Sequence, residues 1–103
     1  MPLQVEMMNQ QGSVAQTAVI TGASSGIGKE LAEQLSRAGY STVIAARSIS
    51  KLNAIAENIN SQGGRCLSVS TDVAIQSDIQ NLAEKASQFG KVAILINNAG
   101  MGL

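Results

Sequence analysis

The chain has 103 residues, in which seven Lys and Arg balance seven Asp and Glu, with no histidine. Apolar residues make up 45% of it, and Tyr40 and Phe89 are its two aromatics, so one aliphatic core can form. Balanced charge speaks against a disordered chain and against a nucleic-acid partner, and the missing imidazole removes every Ser-His-Asp or Cys-His hydrolase.

Cys66, the single cysteine, permits neither an intrachain disulfide nor a cysteine-based zinc cluster. Within Arg65–Val69 it reads as a small buried apolar group of a strand. The longest apolar run, Val92 to Ile96, is far short of the ~20 residues that a membrane span needs. Residues 1–14 contain Glu6 and no Lys or Arg, unlike a signal peptide. The expectation is a soluble, cytoplasmic protein without a membrane partner.

Residues 1–13 are polar and aperiodic and read as a flexible N-terminal leader to a domain over residues 14–103. A β-type run, Thr17 to Thr21, follows and ends at Gly22. Ile27, Leu31 and Leu35 then recur at i, i+4 and i+8, one stripe of a helix that stops at Gly39. Tyr40 to Ala46 is the second strand. Leu52, Ile55, Ala56 and Ile59 mark a second amphipathic helix, ended by Gly63 and Gly64. Cys66 to Ser70 is the third strand. Ile75, Ile79, Leu82, Ala86 and Phe89 trace a third helix, and Val92 to Ile96, apolar throughout, is a fourth strand suited to burial on both faces. The alternation β-α-β-α-β-α-β calls for parallel strands with right-handed helical crossovers, an α/β sheet.

Directly after the first strand stands Thr21-Gly22-Ala23-Ser24-Ser25-Gly26-Ile27-Gly28, running into the first helix. Glycines at a strand-to-helix turn let the backbone turn sharply and approach a ligand without a Cβ in the way. The first-turn amides and the helix dipole then face an anion, for which a pyrophosphate is the natural tenant. A plain tight βα turn is the competing reading. Two other phosphate motifs fail. A Walker A loop would need glycine at Ala23 and a hydroxyl at Glu30, and G-x-G-x-x-G would need glycine at Leu31.

These residues resemble the short-chain dehydrogenase/reductase family. Its cofactor loop, T-G-x-x-x-G-x-G, is matched from Thr21 to Gly28, and its N-N-A-G marker after the fourth strand is matched by Asn97-Asn98-Ala99-Gly100. The resemblance covers residues 16–102 and implies an incomplete Rossmann-type, doubly wound parallel sheet in the order 3-2-1-4. It also implies that Gly22, Ser24, Ser25, Gly26, Ile27 and Gly28 bind a nicotinamide dinucleotide. The acidic residue that faces the adenine in the family is matched by Asp72, with Val73 beside it. Asn97, Ala99 and Gly100 complete the implied cofactor site. Ligands of open α/β sheets bind beyond the carboxyl ends of the strands, where Gly22, Arg47, Asp72 and Asn97 each stand. For Asp72 a helix N-cap is an equal reading. The adjacent amides of Asn97 and Asn98 suggest side-chain hydrogen bonds that hold neighbouring loops together.

An NAD site needs a carboxylate at the end of the second strand to accept from the ribose 2′-OH. There is no acidic residue from Gly39 to Ala56; Ala46 fills the expected position and Arg47 follows it. A guanidinium there can pair with a 2′-phosphate, so NADP(H) is expected over NAD(H). Ser24, Ser25 and Lys51 could add donors. The basic residue that many NADP(H)-binding relatives carry before the second glycine is Ser25 here.

In the family, reduction uses Asn, Ser and Y-x-x-x-K, all beyond the fourth strand. Tyr40 is followed at that spacing by Ile44, so the pair is absent, Tyr40 reads as a packing residue, and no catalytic residue is assigned. The expected function is the cofactor half of an oxidoreductase that moves hydride between NADPH and a carbonyl or alcohol. The alternative is a non-catalytic nucleotide-binding or interaction module that completes its sheet with a partner. The fourth strand would present a long apolar edge, prone to aggregation unless covered. A homo-oligomer is plausible for a longer form.

Overall fold

The structure is a computed structural model that describes residues 4–7, 16–24 and 26–98. Its elements are β1 (Gln4–Met7), β2 (Gln16–Thr21), α1 (Gly26–Arg37), β3 (Ser41–Ala46), α2 (Ile49–Ser61), β4 (Cys66–Ser70), α3 (Gln76–Phe89) and β5 (Lys91–Asn97). They form one sheet in the order β1-β5-β2-β3-β4. The pairs β2–β3, β3–β4 and β2–β5 are parallel, so the four expected strands stand in the order 3-2-1-4. This is the Rossmann-type arrangement.

Alternation along the strands sorts side chains to two faces. On one, Ala18, Ile20, Ile44, Ile94 and Ile96 join Ala32 of α1 and Leu52, Ile55, Ala56 and Ile59 of α2. On the other, Val19, Val43, Ala45 and Val69 meet Leu82 and Ala86 of α3. α1 and α2 therefore cover one face and α3 the opposite one. Tyr40 packs at the margin of the first cluster and Cys66 is buried within it, both in the roles their sequence setting suggested. Burial pushes the Cys66 thiol pKa up, and the Thr42 hydroxyl acts in the opposite direction.

Two features depart from the sequence reading. Part of the expected leader is structured: Gln4 to Met7 pairs antiparallel with β5, Gln4 opposite Asn97 and Met7 opposite Ile94. The cause is the apolar β5 edge, whose free N–H and C=O groups accept a segment whose polar and apolar residues alternate. The remaining leader residues lie outside the described ones. Second, two of the three helix stripes do not bury their first members. Ile27 at the start of α1 is 55% exposed, and Ile75, the N-cap of α3, and Ile79 are 47% and 39% exposed, whereas Leu52 of α2 is fully buried. Among the described residues, no helix is long and apolar enough to cross a membrane.

Candidate functional site

The carboxyl ends of β2, β3, β4 and β5 carry four loops, and hydrogen bonds stitch each to its neighbour. Ala23 N–H donates to the Ala45 carbonyl at 3.2 Å, and Thr71 N–H donates to the Ala46 carbonyl at 2.8 Å. The Ser70 hydroxyl donates to the Arg47 carbonyl at 3.2 Å. Between β2 and β5 the Thr21 hydroxyl donates to Asn97 Oδ1 at 3.0 Å and accepts from Asn98 N–H at 3.1 Å. Asn98 Nδ2 donates to the Gly22 carbonyl at 3.1 Å. The two asparagines thus hold neighbouring loops together, as their adjacency suggested.

The glycines of the first loop have different tasks. Gly22 and Gly26 have φ of 66° and 64°, the left-handed region that favours a residue without Cβ. Gly28 is needed for close approach. A Cβ there would lie 2.4 Å from the Gly22 carbonyl oxygen, 2.7 Å from Asn98 Nδ2 and 2.9 Å from Ala23 Cα. The start of α1 is therefore pressed against the turn and the end of β5. The first turn of α1 carries no acidic residue, and Gly26 and Ile27 are exposed. First-turn N–H groups have no partner within a helix, so this surface suits an anion. Ser24, half-buried, lies in the same loop. Ser25, Ala99 and Gly100 lie outside the described residues.

Arg47 is exposed at the end of β3, directly before α2. Ser48 stands at the N-cap of α2, yet its hydroxyl makes no capping bond and lies 3.4 Å from that of Ser50. The first turn of α2 has no acidic residue, and Lys51 in it is exposed. Sequence reasoning did not single out Ser48. A serine immediately before an amphipathic stripe was the available signal.

Asp72 is not the N-cap of α3. That position is Ile75, three residues later. Asp72 instead closes its own turn: Oδ1 accepts from Ala74 N–H at 2.9 Å, and its carbonyl accepts from Ile75 N–H at 2.9 Å. Val73, exposed, stands at the tip of this turn. The loop thus offers a half-buried carboxylate beside an apolar side chain.

Gly22, Ser24, Gly26, Ile27, Gly28, Arg47, Asp72, Val73 and Asn97 therefore all stand at or beyond one edge of the sheet. Asn98 Oδ1 is a buried acceptor there, without a hydrogen-bond partner among the described residues. The arrangement can hold an extended anionic ligand, with amides at α1, the cations Arg47 and Lys51 around the start of α2 and a carboxylate after β4. Among the described residues no cluster of side chains could ligate a metal ion.

Residues 16–103 match the model of the short chain dehydrogenase family. Dehydrogenase/reductase SDR family member 1 of Mus musculus is 40% identical over 90 residues, covering 85% of this chain and 29% of its own length. The F189W actinorhodin polyketide ketoreductase, solved with NADPH, superposes with a TM-score of 0.78 at 31% identity, over 84% of this chain and 33% of that one. A short chain dehydrogenase/reductase from Burkholderia phymatum, solved with NAD, gives a TM-score of 0.73 at 35% identity, over 76% of this chain and 28% of that one. The chain spans about a third of the length of such relatives. By its glycine turn, its latched asparagines, its strand order and these matches, it belongs to the short-chain dehydrogenase/reductase family.

Proposed function

We propose that residues 16–103 bind the adenosine and pyrophosphate portions of NADP(H) within an oxidoreductase that transfers hydride between NADPH and a carbonyl or alcohol substrate. One observation carries the reading: the glycine turn and the start of α1 are locked onto the end of β5, which puts the first-turn amides of α1 at the carboxyl ends of the strands. The cofactor supplies the hydride; the chain's residues bind and orient it. Amides of Gly26 and Ile27, aided by Ser24 and Ser25, hold the pyrophosphate. Ala99 and Gly100, after the asparagines, complete the proposed cofactor site.

Preference for the 2′-phosphate rests on charge. Arg47, Ser48 and Lys51 surround the start of α2, and a carboxylate that would repel the phosphate or grip a 2′-OH is missing there. NAD(H) remains the competing ligand. Asp72 accepts a hydrogen bond from the adenine amino group and Val73 packs on the ring. No residue of the chain is assigned to proton transfer, so the hydride step belongs to the whole protein.

The test is calorimetric titration of the full chain with NADPH and NADH. NADPH should bind about ten- to hundredfold tighter, the range of a charge-assisted pair, and Arg47→Glu should abolish that difference. Equal affinities in the unaltered chain would overturn the NADP(H) preference, and no binding of either would overturn the cofactor role.

A further inference from the structure

The loop proposed to face adenine is not held by its own residues alone. Thr71 anchors it on one side, buried, with N–H on Ala46 and its hydroxyl on the Val69 carbonyl at 3.1 Å. On the other side the tie comes from the helix. Asp78, half-buried in the first turn of α3, accepts the Asp72 N–H on Oδ2 at 2.9 Å. A third-position acid that caps a helix ordinarily reaches back to the N-cap amide. Here it reaches three residues further, to the first residue of the turn. Asp78 N–H meanwhile donates to the Ile75 carbonyl at 3.0 Å, so backbone and side chain of one residue brace both ends of Asp72–Ile75.

We infer that Asp78 is a positioning residue for the adenine base: by holding the Asp72 amide it fixes the direction of the Asp72 carboxylate and the height of Val73. The inference rests on the cofactor reading above. Asp78 touches no part of the ligand. Its carboxylate also sits where an α3 dipole favours negative charge, which supplies the competing explanation, a purely helix-stabilising acid.

The two roles separate in one experiment on the full chain. Affinities are measured for NADPH and for its hypoxanthine analogue, in which a 6-oxo group replaces the 6-amino donor. The unaltered chain should prefer NADPH by about tenfold, the size of one hydrogen bond to a charged acceptor. Asp78→Ala should shrink that preference to about twofold or less, on the same scale. Asp78→Asn removes the charge but keeps a carbonyl acceptor, and should preserve the preference. Urea midpoints of both variants confirm that folded protein is compared. If Asp78→Asn loses discrimination as Asp78→Ala does, charge at the helix start is the cause and the inference fails. It fails too if Asp78→Ala keeps the full preference, or if the unaltered chain shows none. NADPH binding that survives in the unaltered chain leaves the cofactor reading standing in each of these cases; its loss there overturns both.

Discussion

Gly28→Ala puts the close approach at the heart of the site to a quantitative test. The added methyl meets three atoms under 3.0 Å, and two of them, the Gly22 oxygen and Ala23 Cα, are backbone. The third, Asn98 Nδ2, is itself tied to the Gly22 carbonyl, so no flexible chain end can give way. Forcing one methyl into a closed contact typically costs about 1–3 kcal/mol. Alanine's better helix propensity returns at most about 1 kcal/mol, and less within the first turn. The net expectation is a loss of about 1–2 kcal/mol, or roughly 5–15 °C in Tm for a chain of this size. Gly26→Ala is the control. Its Cβ meets nothing within 4 Å, so its cost is the left-handed backbone alone, about 1–2 kcal/mol. The assay is urea unfolding followed by circular dichroism, read as a shift in midpoint at constant slope. Gly28→Ala should also move α1 off the latch and weaken NADPH binding beyond what its stability loss explains; Gly26→Ala serves as the control for stability alone. A Gly28→Ala midpoint at or above that of the unaltered chain would refute the close-approach argument.

Three further outcomes follow from particular contacts. Thr21→Val keeps the shape of a buried side chain but leaves the Asn98 N–H without its acceptor, at a cost of about 1–3 kcal/mol, whereas Thr21→Ser keeps the hydroxyl and loses mainly a methyl, about 1 kcal/mol; a more stable Val variant in urea would contradict the latch. Cys66 should resist alkylation near pH 8.5 until denaturant unfolds the chain, because burial raises its pKa and keeps the folded thiol protonated. By the same shift, this group's contribution to stability is intact below the ordinary thiol pKa and declines as pH rises above it; a midpoint that rises with pH in that window, and does so only with Cys66 present, would contradict the sign. Removing residues 1–7 strips β1 from β5 and should raise light scattering at micromolar concentration by exposing an apolar edge; unchanged scattering would show that this pairing does not protect the edge.

The parts of the fold that were legible in sequence are those in which a local pattern and a tertiary demand coincide. β2, β3 and β5 contain apolar runs and β4 a short apolar segment broken by serine, each bounded by turn residues, and their parallel pairing follows from the helices between them. β1 was not legible, since four alternating residues inside a polar stretch carry no signal of their own. Its strand character is conferred by the edge it pairs with, some ninety residues away in sequence. The α2 stripe was read correctly throughout, and those of α1 and α3 correctly in period but not in burial. Periodicity reports which residues share a face, but not which of them the sheet covers, and Ile27, Ile75 and Ile79 stay exposed.

The same distinction explains the site. The glycine turn could be found because left-handed φ and close approach leave a residue type behind at each position: Gly22 and Gly26 for the former, Gly28 for the latter. Asn97 and Asn98 could be guessed to hold loops, but their partners Thr21 and Gly22 lie 76 residues earlier and no local rule names them. Asp78 and Ser48 passed unnoticed for a different reason. An acid in a first helical turn and a serine before a helix are what any helix would carry, so composition at those positions is silent about where the side chain goes. Asp78 reaches past the cap to Asp72, and Ser48 leaves its cap unmade, and each departure only has meaning once the backbone around it is placed. Residues that satisfy a local rule are legible from the rule. Residues that the strand-end loops have turned to another use are legible from the bond they fail to make, or make elsewhere.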